Sequence, residues 1–292
     1  MKIIGHSKIL RHLQRLSQEN LLPHALLFTG PSGIGKKRVA LHFAQSLFCE
    51  SPSRPCENCG TCKKVEALQH PDLLFIEPEN DLIKIDAIRD LKNALALKPF
   101  EAPLKVAVIA DAQGLNPAAS NALLKTLEEP PPHTLLILTT PSPHQLLKTI
   151  LSRCQKVYFS PLTAEETKTV LEQNGKHPPA EIVQCAQGSP GLALSLKEEA
   201  YELLHQRLIP ALESQPKDLL GLFSVAEEMA DEDTLQTPVL HLLRMHLKDK
   251  LLQQPTSENL RKIDAVEEAS RALNRYANPL LTFENLFLNL CL

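Results

Sequence analysis

No stretch of this sequence approaches the roughly 18 consecutive apolar residues that a membrane-crossing helix needs, so no membrane partner is expected. An excess of one charge is lacking too. The chain carries 31 Lys and Arg against 34 Asp and Glu, a formal net charge of -3. Without a global basic field, any contact with nucleic acid has to be local or made through a partner. Internal repeats and low-complexity tracts are missing, which leaves an ordinary globular organisation. The opening MKIIGHSKILRHLQRL sets Lys, His, Arg and Gln among its apolar positions. It reads as an amphipathic helix and not as a secretory signal. The expected location is therefore the reducing cytoplasm, where the seven cysteines favour metal over disulfides.

What is present fits a chain of two or three domains. The 292 residues are 43% apolar and 22% charged, enough to bury a sizeable core. Up to about residue 160, short apolar runs alternate with helical spacing. ALLFTG (25–30), LLFIEP (73–78), KVAVIADA (105–112), TLLILTT (134–140) and CQKVYFSP (154–161) read as strands. KKRVALHFAQSLF (36–48), IDAIRDLKNALALK (85–98) and NPAASNALLKTLEE (116–129) read as helices. Strands that are apolar without alternation predict a parallel sheet covered on both faces. After Pro161 the strands stop. Three short helices are expected at 163–175, 180–188 and 191–200, the first opened by a Thr163–Glu166 capping box. From about 214 onward, Leu-rich helices separated by QTP, QQPTSEN and NP predict an all-helical end.

GPSGIGKK (30–37) follows a strand and opens a helix, and it fits G-x-x-x-x-G-K-[ST] at every position but the last. Gly30, Gly33 and Gly35 let backbone N–H groups face phosphate oxygens, and Lys36 would reach the terminal phosphates. A glycine-rich turn without that purpose is the plainer alternative. The hydroxyl that such a loop lends to Mg²⁺ is lacking, because Lys37 is a cation with no lone pair to give. The strand 105–112 supplies Asp111, but Ala112 stands where a water-activating carboxylate would be needed. The fold of an ATPase is therefore expected with doubtful ATP binding and without its hydrolysis.

Cys49, Cys56, Cys59 and Cys62 have the spacing C-x6-C-x2-C-x2-C, which fits a structural Zn²⁺ held by four thiolates. Free thiols or a redox pair are the alternatives. Cys185 and Cys291 read as core residues, and His24 as structural. Thr139 and Thr140 end a strand beside the loop, either as sensing polar groups or simply as β-formers.

HALLFTGPSGIGK (24–36), the four-cysteine insert, ADAQGLNPAASNALLKTLEEPP (110–131) and LSRCQ (151–155) together resemble the bacterial DNA polymerase III clamp loader, a member of the AAA+ class. The match covers roughly residues 1–195, and beyond it only the helical character agrees. The resemblance implies an α/β AAA+ P-loop domain at 1–161 with a zinc module at 49–62. It implies a small helical lid domain with linker at 162–212 and an all-α collar domain at 213–292. Lys37, Ala112 and GSPGLAL (188–194), where Gly191 stands in place of a phosphate-sensing Arg, resemble the delta-prime branch more than the gamma/tau motor. Arg153 would then be an arginine finger acting in trans on ATP held by a neighbouring motor subunit. A surface Arg in a salt bridge is the plainer alternative. The helix carrying Lys125, Glu128 and Glu129 would face DNA inside the ring, against a merely solvated helix end.

The implied function is a non-hydrolysing stator, part of the DNA polymerase III holoenzyme. Its partners would be the gamma/tau and delta subunits of a hetero-pentameric ring and, through the complex, the sliding clamp and primed DNA. Two rivals remain: a gamma/tau-type ATPase, which would turn over ATP alone, and an AAA+-like adaptor outside replication, which would ignore the other loader subunits.

Overall fold

The computed structural model describes residues 3–175, 183, 186–195, 198–214, 217–273 and 277–291. The chain divides into two compact units, one of residues 1–174 and 187–191, the other of residues 175–186 and 192–292.

In the first unit, helix α1 (Ser7–Gln18) precedes strand β1 (Ala25–Thr29), helix α2 (Lys36–Phe48) and helix α3 (Gly60–Glu66). Strand β2 (Leu73–Ile76), helix α4 (Ile85–Leu95), strand β3 (Lys105–Ile109) and helix α5 (Pro117–Glu128) follow. Strand β4 (Thr134–Thr140), helix α6 (Lys148–Leu151), strand β5 (Gln155–Tyr158) and helix α7 (Ala164–Gln173) complete the order. The strands form one parallel sheet in the order β2-β3-β4-β1-β5.

Strand periodicity explains the layers. Alternate side chains point to opposite faces. Leu26 and Phe28 of β1 join Val106, Val108, Leu135 and Ile137 under α1 and α2, where Leu13, Val39 and Phe43 meet them. Ala25 and Leu27 join Ala107, Ile109, Leu136 and Leu138 on the other face, under Ile88 and Leu91 of α4 and Leu123 of α5. Both faces are dry, which is why these strands read as unbroken apolar runs. Helix ends follow local chemistry. The Asn116 side chain accepts from the Ala119 N–H at 2.7 Å, with Pro117 in the first helical turn. Both halves of the Thr163–Glu166 capping box form, at 2.9 and 3.2 Å.

The described elements of the second unit are all helices. Helices span Glu198–Glu202, Ile209–Glu213, Leu219–Asp231, Asp233–Gln253, Ser257–Leu273 and Pro279–Cys291. Leu203–Leu208 winds as a π-helix. Three helices end or begin where the sequence predicts, near QQPTSEN and NP. The QTP break does not occur: the helix runs through Pro238, and the chain breaks at Glu232 instead. Pro238 lies in the second turn, where it forfeits a single backbone bond. Of the helix expected at 180–188, only Val183 is described as helical, and Cys185 lies outside the described residues. Cys291 is half-buried at a helix end, so the reading of it as a full core residue needs correction. Among the described residues no helix is long and apolar enough to cross a membrane.

Candidate functional site

The loop after β1 sits at the carboxyl edge of the sheet, flanked by β4, where Thr29 pairs in register with Thr140. Gly30 has φ +152°, and a Cβ there would lie 2.4 Å from the Phe159 carbonyl oxygen, so only glycine fits. Gly33 and Gly35 also have positive φ, at 73° and 97°. Gly35 is the residue from which α2 starts.

Five consecutive carbonyls of this loop accept hydrogen bonds from within the chain. Lys36 Nζ donates to Gly30 O at 2.8 Å and to Pro31 O at 2.7 Å. The Ser189 hydroxyl donates to Ser32 O at 2.8 Å. The Gly191 N–H donates to Gly33 O at 2.8 Å, and His6 Nε2–H donates to Ile34 O at 2.8 Å. Backbone carbonyls left bare in so tight a turn would be costly, so these bonds fix its shape without a ligand. Lys36 is only 6% exposed, and burial pushes its pKa down to about 8 against the attraction of Asp111. Gly191 packs on the loop: a Cβ there would sit 2.7 Å from Gly33 Cα. No side chain, arginine included, fits position 191 in this arrangement.

The groups around the loop are committed elsewhere. Lys37 Nζ lies 2.5 Å from Glu77 Oε2 and 4.8 Å from the centre of the Phe75 ring. Asp111 takes a left-handed φ of 46°, and its N–H donates to Thr139 Oγ1 at 3.1 Å. Ala112 is buried. Thr140 donates to Gln113 Oε1 at 3.0 Å and accepts from the Ser142 N–H at 3.1 Å. Both threonines are thus buried tethers of the strand edge. The His24 carbonyl accepts from the Leu136 N–H at 2.9 Å, a backbone bond independent of its side chain.

The four cysteines come together. Their sulfurs all lie within 4.8 Å of one another, with Cys49 Sγ and Cys59 Sγ 4.0 Å apart. Four thiolates on one ion at about 2.3 Å would stand roughly 3.8 Å apart, so the cluster fits a metal ion with a small contraction. Cys49 ends α2, and Cys59 caps α3 by accepting from the Cys62 N–H at 3.4 Å. Backbone N–H groups of Asn58 and Cys59 hold Cys56 down to about 6, while burial pushes Cys62 up to about 12. Sequence reasoning missed Gln45, fully buried on α2, whose amide donates to Cys62 O at 2.9 Å. Its only signal is a polar residue on a helix face that is otherwise apolar.

Arg153 lies just beyond α6. Nη1 donates to Thr149 O at 3.0 Å, and Nη2 lies 2.8 Å from Glu128 Oε1 at the end of α5. Its side chain keeps 34% of its exposure. Next to it Cys154 is buried, which pushes its thiol up to about 11 and leaves it an inert anchor of the turn. Lys125 and Glu128 are exposed on the last turn of α5, and Glu129 just beyond it.

Comparison with known proteins places this architecture. The family described as DNA polymerase III, delta subunit, matches residues 5–163. The cyanobacterial DNA polymerase III delta prime C-terminal domain matches residues 165–290. The delta' subunit of Bacillus subtilis is 29% identical across 97% of this chain and 95% of its own length. That of Escherichia coli is 32% identical across 76% of this chain and 70% of its own. The tau subunit of Bacillus subtilis is 34% identical across 70% of this chain, but only 37% of that longer protein is covered. Among solved structures, a gamma subunit-related protein of Thermotoga maritima superposes with a TM-score of 0.54 at 20% identity, over 96% of this chain and 98% of that one. That likeness concerns the fold alone, a parallel sheet with helices and a helical C-terminal region.

Proposed function

Because this chain belongs to the DNA polymerase III delta-prime family of clamp-loader subunits, we propose that it is the non-hydrolysing stator of its loader. The observation that carries this reading is the loop at 30–37. It keeps the glycine geometry of a phosphate cradle, with its carbonyls held by Lys36, Ser189, Gly191 and His6, but it lacks the groups that hydrolysis needs. The two groups that would ligate Mg²⁺ and activate water are a lysine paired with Glu77 and a buried alanine. Such a loop serves as a structural keystone.

Arg153 then acts on a site the chain does not own. A half-exposed guanidinium with its fork near the surface is the side chain suited to a neighbour's γ-phosphate, where it offsets charge that develops during phosphoryl transfer. The neighbours are gamma/tau motor subunits, with delta completing a hetero-pentameric ring that places the sliding clamp on primed DNA in the cytoplasm. The cysteine cluster holds Zn²⁺ as a structural staple of the α2–α3 corner. The three-part division at 161 and 212 describes the AAA+ domain, lid and collar. Two assays test the reading together. The isolated chain should turn over no ATP in the presence of Mg²⁺, and it should co-elute with gamma/tau and delta in one complex. ATP turnover by the isolated chain, or failure to enter the complex, would overturn it.

A further inference from the structure

The guanidinium of Arg153 does not extend into solvent. It curls back over its own short helix, and both terminal nitrogens are engaged within the chain. Nη1 donates to Thr149 O at 3.0 Å, with Ser152 Oγ at 3.4 Å, and Nη2 meets Glu128 Oε1 at 2.8 Å. The seat is electrostatically consistent. Glu128 is the last residue of α5, and Thr149 lies in the final turn of α6. Helix C-termini carry partial negative charge, so a carboxylate at the end of α5 is unfavourable there unless a cation sits with it. Arg153 supplies that cation. Glu128 in turn gives the exposed arginine a defined resting place 25 residues away in sequence.

We propose that Glu128 restrains Arg153 and that breaking this ion pair is a step in engaging the neighbour's phosphate. The inference rests on the arginine-finger reading of Arg153. Each terminal nitrogen keeps a second N–H, but the bonds to Thr149 O and Glu128 Oε1 hold the fork back over its own helix, so reaching a neighbour's phosphate means swinging it out of this seat. A carboxylate left beside the phosphate would also repel it. Glu128 is therefore a positioning residue of the resting loader: it withholds the finger, and its removal makes the finger easier to deploy. The pair is half-exposed, with side chains 34% and 49% accessible, so the restraint is modest.

The test is the steady-state ATPase rate of the reconstituted loader without DNA, with wild-type chain, Glu128→Gln, Arg153→Ala and the double variant. Glu128→Gln should raise the rate about two- to fivefold, the range that loss of an exposed ion pair implies. In the Arg153→Ala background the same substitution should change nothing. Glu128→Asp keeps the charge and should fall between wild type and Glu128→Gln, whereas Glu129→Gln removes a neighbouring charge and should match wild type. Co-elution and thermal unfolding of each variant establish that the loader is intact. A Glu128→Gln rate equal to or below wild type overturns the restraint, and so does an increase that persists without Arg153. If Arg153→Ala itself runs at the wild-type rate, the finger reading fails and takes this inference with it. That result is distinct from a failure confined to Glu128.

Discussion

The loop at 30–37 and the corner formed by Glu128 and Arg153 lie in the same α/β unit, and they invert what each looks like in sequence. The loop carries the stronger motif. In the structure it is closed on itself: Lys36 is buried against its carbonyls, Gly191 packs on Gly33, and Lys37 is paired with Glu77. The corner carries a three-residue motif, Ser152-Arg153-Cys154. There a charged fork stays partly exposed, held by the Glu128 carboxylate and the Thr149 carbonyl. A motif reports a backbone shape. Whether chemistry goes with it depends on the groups around it, and here the arginine keeps 34% of its exposure while the lysine of the loop is buried.

The largest effect that would sharpen this contrast is at Arg153. Arg153→Lys keeps the charge and loses the fork, so the ATPase of the reconstituted loader should fall on the order of 10²-fold with the complex still assembled. A rate within about twofold of wild type would mean that charge alone suffices. Next comes Gly191→Arg, which puts back the residue type that the resemblance to gamma/tau places there. Its Cβ would meet Gly33 Cα at 2.7 Å. The variant should lose about 3 kcal/mol of stability in denaturant unfolding and gain no ATPase. ATP turnover by that variant alone would break the comparison. Cys62→Ser should release the metal and lower stability by about 2 kcal/mol, read by metal analysis and by unfolding with and without chelator. An unchanged unfolding curve would assign the cluster to free thiols.

The smallest effect concerns Lys36. Burial lowers its folded pKa to about 8 from an ordinary 10.5. The unfolded chain therefore binds more proton between those values, and stability should rise with pH across that window. Relative to Lys36→Met, the wild type should gain stability from about pH 8 to 10.5, and the difference should be flat below pH 8. A wild type that loses stability over that window would show that Lys36 is held charged.

Much of this was legible in the sequence because it depends on local periodicity. TLLILTT and KKRVALHFAQSLF coincide with β4 and α2 residue for residue, since doubly buried strands and a glycine-launched helix leave unambiguous patterns. The cysteine cluster was legible from spacing alone. Pro238 misled because a proline early in a long helix costs little. The contacts that close the loop were not legible. His6 and Ser189 stand 28 and 157 residues from their carbonyl partners, and nothing local marks either as a loop-binding group. Glu128 was legible only as part of a charged helix end. Its pairing with Arg153 follows from α5 and α6 lying side by side, which the chain order does not reveal. Asp72 is a similar case. Fully buried, it accepts from the N–H groups of Phe100, Glu101 and Ala102 at 2.7–2.8 Å and fixes the turn before β3.

The most direct test of the account sets Lys36→Ala beside Arg153→Ala in the reconstituted loader with primed DNA, scoring ATPase per assembled complex. The account predicts that Lys36→Ala turns over at the wild-type rate while Arg153→Ala loses at least about tenfold. A loader slowed by Lys36→Ala and unaffected by Arg153→Ala would contradict it, because the work would then belong to the loop and not to the finger.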